Sequence, residues 1–314
     1  MLILTSQRYK NLIMTNPPFL KSGDKVAIVA PAGFISSEQV SASIKVLTSW
    51  GLEIVLGKNL YSKFFTFAGT DEQRAKDFQK AIDNKEIKAV FFARGGYGAL
   101  RILNKINWSA FTKNPKWIIG YSDITAFHSC VNNVLSIASI HGPMPVNFDK
   151  LIEEKDSLEN LKKLLLGEVI KYNLPNISNL PTSEIEGKLI GGNLSLLYSL
   201  RGTKYDFSST NNILFIEEIG EYMYHIDRIL QNFKLGNKFS GLKAIILGGF
   251  TEITENDFPF AYSLIEIIKE VTDNKIPIIE GLSSGHIAPN LPLILGNNLK
   301  ISVEKENITI TQNQ

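Results

Sequence analysis

The chain has 314 residues, of which 44% are hydrophobic and 20% charged, with a formal net charge of +2. That length suits two domains better than one core, and that charge balance gives no electrostatic reason to expect a nucleic-acid or membrane partner. Cys130 is the only cysteine, which excludes an internal disulfide framework, and no apolar stretch is long enough to span a bilayer, so a cytoplasmic setting is expected.

The first residues lack a continuous apolar segment behind a basic start, so they make a poor export signal, and Met14 is a candidate alternative start. Residues 25–30 (KVAIVA) form a short apolar run closed by Pro31 and Gly33, the pattern of a buried strand. Helical spacing covers 37–50, a strand 52–56, a second helix 71–82 and a strand 89–93. The loop Arg94-Gly-Gly-Tyr-Gly leads to a helix over 99–106, a strand at 117–119 and a helix over 124–132. This alternation predicts an α/β fold with a mostly parallel sheet over residues 15–166, ending in one helix at 151–166. Residues 167–186, with Pro175 and Pro181 and no clear period, read as a linker. A smaller domain follows over 187–314, with a helix at 194–200, strands at 212–216, 243–247 and 276–279, helices over 223–235 and 263–271, and a terminal hairpin.

The Arg94–Gly98 loop sits between strand and helix, as a dinucleotide fingerprint does. Yet Arg101 stands where the third Gly belongs, and no acid follows at ribose distance. The remaining uses are a tight turn or backbone amides that hold an oxyanion. Ser122 occupies a strand-to-helix turn that suits either a helix cap or a nucleophile. Ile124 breaks the G-x-S-x-G elbow, and Thr125 is not the Glu or Gln of a capping box. Of four histidines, His286 lies in an irregular loop after a buried strand, where catalytic groups concentrate, and His141 ranks second as a base. Glu217 and Glu218 end an apolar strand, and only one of two neighbours can face a given cleft. No His-Glu-x-x-His, cysteine pair or acidic cluster has metal-ligand spacing.

These pieces occur together, and in this order, in a known family. The stretches VAIVAPAG (26–33), RGGYG (94–98), GYSDITAFH (120–128), HGPM (141–144), GGNLSLL (191–197), LFIEEIGEYMYHIDR (214–228) and GHIAPNLP (285–292) resemble the LD-carboxypeptidases, or muramoyltetrapeptide carboxypeptidases, a family of serine peptidases. The resemblance implies a triad of Ser122, Glu217 and His286 at a domain interface, and an oxyanion hole from the N–H groups of Gly96 and Asp123. It also implies a cofactor-free, homodimeric enzyme that removes terminal D-Ala from murein tetrapeptide during cell-wall recycling. Two residues keep two readings each: Arg94 as a carboxylate clamp or a loop anchor, and Asn193 as a peptide contact or a turn residue. The rivals are a peptidase of the microcin C self-immunity type, which stacks a nucleobase on a linker-region Trp, and a non-catalytic two-domain sugar- or peptide-binding protein. The segment 167–192 holds no Trp, which favours the murein substrate over the first rival.

Overall fold

The computed structural model describes residues 14–255 and 258–312; the expectation about residues before Met14 lies outside them. The buried strand β1 (Lys25–Val29) leads to α1 (Ser37–Ser49), β2 (Glu53–Leu56), α2 (Asp71–Asp83) and β3 (Ile87–Phe92). Both helices start on capping boxes, Ser36 with Gln39 and Thr70 with Gln73, each box satisfying backbone N–H groups at the helix start. The short helices α3 (Ala99–Leu103) and α4 (Ser109–Lys113) precede β4 (Trp117–Gly120), α5 (Thr125–Ser129) and β5 (Ser139–His141). Strands β2, β1, β3, β4 and β5 lie side by side in that order, all parallel.

The single helix expected at 151–166 is two, α6 (Phe148–Glu154) and α7 (Asp156–Leu166). Lys155 between them has a φ of +68°, which no helix accommodates, and the Glu154 carboxylate accepts from the N–H and hydroxyl of Ser157 beyond the break. The expected linker also needs correction. Within 167–186, β6 (Ile170–Pro175) buries Ile170, Tyr172 and Leu174 in strict alternation, and β7 (Ser183–Asn193) has already begun.

After β7 come α8 (Leu194–Ser199), β8 (Asn212–Ile219), α9 (Met223–Leu235), β9 (Ala244–Thr251), α10 (Leu264–Val271), β10 (Ile278–Ile279), β11 (Leu293–Leu295), β12 (Asn298–Val303) and β13 (Asn307–Gln312). The second sheet runs β10-β9-β8-β7-β12-β13-β6, with its first four strands parallel and the others antiparallel. Strand β11 leaves it and adds to the first sheet, antiparallel to β5, with Leu293 opposite His141. One core cluster therefore runs through both halves, from Val26 and Phe91 to Ile213 and Leu299. The architecture is α/β, a mostly parallel sheet domain joined to a β-rich one. Among the described residues no helix is long and apolar enough to cross a membrane.

Candidate active site

The carboxyl ends of β4 and β8 and the loop between β10 and β11 converge where the two sheets meet. Strand β4 is wholly buried, and its last residue, Gly120, leaves room for Ile124: a Cβ there would lie 3.0 Å from the Ile124 side chain. Ser122 then takes a φ of +64° at the head of a tight 3-10 turn, Ser122–Ile124. A non-glycine residue in that region costs about 1–2 kcal/mol, and such strain concentrates at functional turns. Its hydroxyl caps no helix. Ser122 Oγ lies 3.1 Å from His286 Nε2.

On β8, Glu217 and Glu218 point to opposite faces, as the pleat requires. Both are buried, at 0% and 2% exposure. Glu217 Oε2 accepts from His286 Nδ1 at 2.7 Å and from the His286 backbone N–H at 3.3 Å. Glu218 accepts from Asn193 Nδ2 at 2.8 Å and from the backbone N–H groups of Ser195 and Ile219. It thereby tethers the start of α8 on the far side of the sheet.

Two features sequence reasoning missed make room for the Glu217–His286 contact. The β8–β9 register shifts between Ile216 and Glu218, opposite Gly248 and Gly249. A Cβ at Gly248 would lie 2.5 Å from the Ser284 carbonyl, and one at Gly249 would lie 2.9 Å from Ile287. The doublet lets the His286 loop settle on the strand, where Gly249 N–H donates to Ser284 O and Thr251 Oγ1 to His286 O. The signal was present as Gly-Gly inside an apolar strand.

The Arg94–Gly98 loop packs against Ser122 through Gly95. A Cβ there would sit 3.1 Å from Ser122 Oγ. The Gly95 carbonyl accepts from Gly33 N–H at 3.1 Å, so the trans peptide turns the Gly96 N–H the opposite way. Neither the Gly96 nor the Asp123 N–H has a protein acceptor among the described residues. The Asp123 carboxylate ties the loop to the Ser122 turn, accepting from Ala99 N–H at 2.7 Å. Burial pushes its pKa up to about 6. Arg94 Nη1 donates to the Phe34 carbonyl at 3.2 Å, the loop-anchoring geometry. Asn193 caps α8, its Oδ1 accepting from Leu196 N–H at 3.2 Å while Nδ2 serves Glu218, so both ends of its amide are engaged.

His141 is fully buried with its Nε2 3.9 Å from Glu217 Oε1, and neither that oxygen nor either ring nitrogen has a hydrogen-bond partner. It approaches one Glu217 oxygen while His286 holds the other. The neighbouring imidazoles and hydrogen bonds outweigh burial and hold Glu217 down at about 2, an ionised carboxylate at neutral pH. His128 is a satisfied core histidine between Gly120 O and Ser139 Oγ, each at 2.8 Å, and His225 pairs with Glu221 on α9. Among the described residues no group of three or more His, Cys, Asp or Glu side chains is arranged to hold a metal ion.

Comparison with known proteins identifies the family. The LD-carboxypeptidase N-terminal domain family matches residues 26–142, and the LD-carboxypeptidase C-terminal domain family matches 186–301. The chain is 30% identical to the probable murein peptide carboxypeptidase of Bacillus subtilis (strain 168), over 94% of this chain and 93% of that one. Its fold is similar to the muramoyltetrapeptide carboxypeptidase from Oxalobacter formigenes, with a TM-score of 0.83 and 27% identity over 92% of this chain and 99% of the other. It is equally similar to the microcin C7 self immunity protein MccF, with a TM-score of 0.84 and 27% identity over 94% and 98% of the two chains. With both family domains matched in order, the chain belongs to the LD-carboxypeptidase family, as a serine-type carboxypeptidase of the hydrolase class.

Proposed function

We propose that this protein removes the terminal D-Ala from murein tetrapeptide in cytoplasmic peptidoglycan recycling, cleaving the bond after the L-centre of the third residue through an acyl-Ser122 intermediate. The observation that carries the reading is the hydrogen-bonded path from Ser122 Oγ through His286 to Glu217 across the domain interface. An ionised Glu217 at Nδ1 requires a proton on that nitrogen, which leaves the Nε2 lone pair facing the Ser122 hydroxyl. His286 Nε2 takes that proton as Oγ attacks the scissile carbonyl, then delivers it to the leaving amine of D-Ala. Water enters by the same route to release the tripeptide. Glu217 stabilises the transient imidazolium. The free N–H groups of Gly96 and Asp123 are the donors for the tetrahedral oxyanion, each worth about 3 kcal/mol of transition-state stabilisation.

Similarity to a self immunity protein supports a second reading, cleavage of an aminoacyl-nucleotide analogue. The absence of any Trp from residues 167–192 speaks against it. Mass spectrometry of murein tri-, tetra- and pentapeptides and of an aminoacyl-sulfamoyl adenylate separates the two. Loss of one Ala from tetrapeptide alone supports the murein reading, and cleavage of the adenylate alone overturns it. Ser122→Ala acting at the wild-type rate would refute the triad and return the chain to the binding-protein class. Assembly as a homodimer belongs to the same reading and is checked by sedimentation.

A further inference from the structure

We propose that the cavity beside His286 receives the leaving residue, and that Lys150 holds that residue's carboxylate. This rests on the carboxypeptidase reading above and adds to it the group that recognises the free chain end.

The cavity holds about 290 Å³ and is lined by Tyr121, Asn147, Lys150, Ile219, His286 and Asn290, among others. Its polar lining, His286 apart, consists of donors. Lys150 on α6 is exposed and has no hydrogen-bond or ion-pair partner among the described residues. Asn290 is 3% exposed, and its Oδ1 accepts from Gly285 N–H at 2.8 Å, which fixes the orientation of the amide. Its Nδ2 is then a buried donor without a partner among the described residues. Asn147 has its oxygen engaged by Met144 N–H, and its side chain also bonds the Tyr121 phenol, so it orients the wall of the cavity. Burial holds the Tyr121 phenol protonated, with its pKa pushed up to about 12. No Asp or Glu lines the cavity. A buried donor without a partner carries a standing cost that an anionic ligand removes.

The chemistry says which anion. His286 must reach the leaving nitrogen to protonate it. In an amino-acid leaving group the carboxylate is one tetrahedral carbon from that nitrogen, so it must lie on the His286 side of the site. Arg94, the other cation near Ser122, sits on the Arg94–Gly98 loop; its Nη1 donates to Phe34 O while its buried Nε has no partner among the described residues, which makes it the competing clamp that the test includes. Lys150 is the cation that lines the cavity His286 also lines.

The test is steady-state kinetics on murein tetrapeptide and on the same peptide with a C-terminal carboxamide, for wild type, Lys150→Met, Lys150→Arg and Arg94→Met. The expected result is a KM for tetrapeptide raised about 10- to 100-fold in Lys150→Met with a much smaller change in kcat. The carboxamide peptide should already bind poorly to wild type and be indifferent to Lys150→Met, and Lys150→Arg should recover most of the loss. A wild-type KM in Lys150→Met, equal weakening of both peptides, or a carboxylate-specific loss in Arg94→Met instead would each overturn the assignment while wild type still releases D-Ala. If wild type releases no D-Ala, the carboxypeptidase reading and this subsite fall together.

Discussion

Replacing Gly285 by Ala should disable the proposed triad without substituting any of its members. Gly285 has a φ of +101°, and a Cβ there would lie 2.6 Å from Glu217 Oε2, 2.7 Å from its Cγ and 2.8 Å from its Cβ. The first contact is about 0.9 Å short of the roughly 3.5 Å at which non-bonded atoms attract. Three atoms of one fully buried side chain are struck at once, so a rotation of the carboxylate alone cannot relieve the clash. Oε2 must retreat, and it is the oxygen that holds His286 Nδ1 at 2.7 Å. Misplacement by about 1 Å costs about 10²-fold in rate, and full loss of the orienting acid about 10⁴-fold. The predicted loss in kcat therefore lies between those limits, about 3–5 kcal/mol of barrier, with KM little changed. Backbone strain adds about 1–2 kcal/mol of instability. Gly281→Ala isolates that strain, because Gly281 has a φ of +89° and nothing within 4 Å of its missing Cβ. D-Ala release and urea unfolding should be measured on both variants. The reasoning fails if folded Gly285→Ala keeps a kcat within about threefold of wild type, or if Gly281→Ala loses as much activity.

His141→Phe removes the imidazole 3.9 Å from Glu217 Oε1, one of the groups that keep this buried carboxylate ionised, and should cost about 1–3 kcal/mol of stability together with part of kcat, whereas His141→Gln, which offers an amide donor there, should recover most of both. Equal behaviour of the two variants in urea unfolding and D-Ala release would sink that account. The pH dependence of stability offers a separate check. Burial holds the His128 imidazole neutral down to about 3 against 6.5 in the unfolded chain, so acidification through that window binds a proton only on unfolding and erodes stability. Asp123 has the opposite sign: its carboxyl is raised from 3.8 to about 6, so ionising it costs stability as pH rises through that interval. The two slopes oppose each other between about pH 4 and 6. Asp123→Asn removes one of them, and its stability should fall more steeply on acidification than wild type, by about 1.4 kcal/mol per pH unit. Parallel curves for the two proteins would show that the Asp123 shift is not there.

The alternation of strand and helix was legible in the chain because short apolar runs such as KVAIV and AVFF, closed by Pro31 and Gly33 or by the Arg94–Gly98 loop, have the length and punctuation of strands buried on both faces. The order of the matching motifs likewise pointed to Ser122, Glu217 and His286 before any contact was known. Strand β6 was written in the sequence as the alternation Ile170, Tyr172, Leu174, but its many Pro, Asn and Ser neighbours hid it, and its partner β13 lies at the far end of the chain. No local pattern could show that Leu293–Leu295 would leave the second sheet to pair with His141's strand, since that pairing is long-range. Nor could it separate Glu217 from Glu218, which share composition and burial. The pleat turns one toward His286 and the other toward Asn193 and the start of α8. The same holds for Asn193, whose amide is consumed by a cap, and for Lys150 and Asn290, which share a cavity only because α6 and the His286 loop meet there. Local pattern sets which residues can form strands, turns and helices. The closing of two sheets against each other decides which polar atoms find partners and which are left without one.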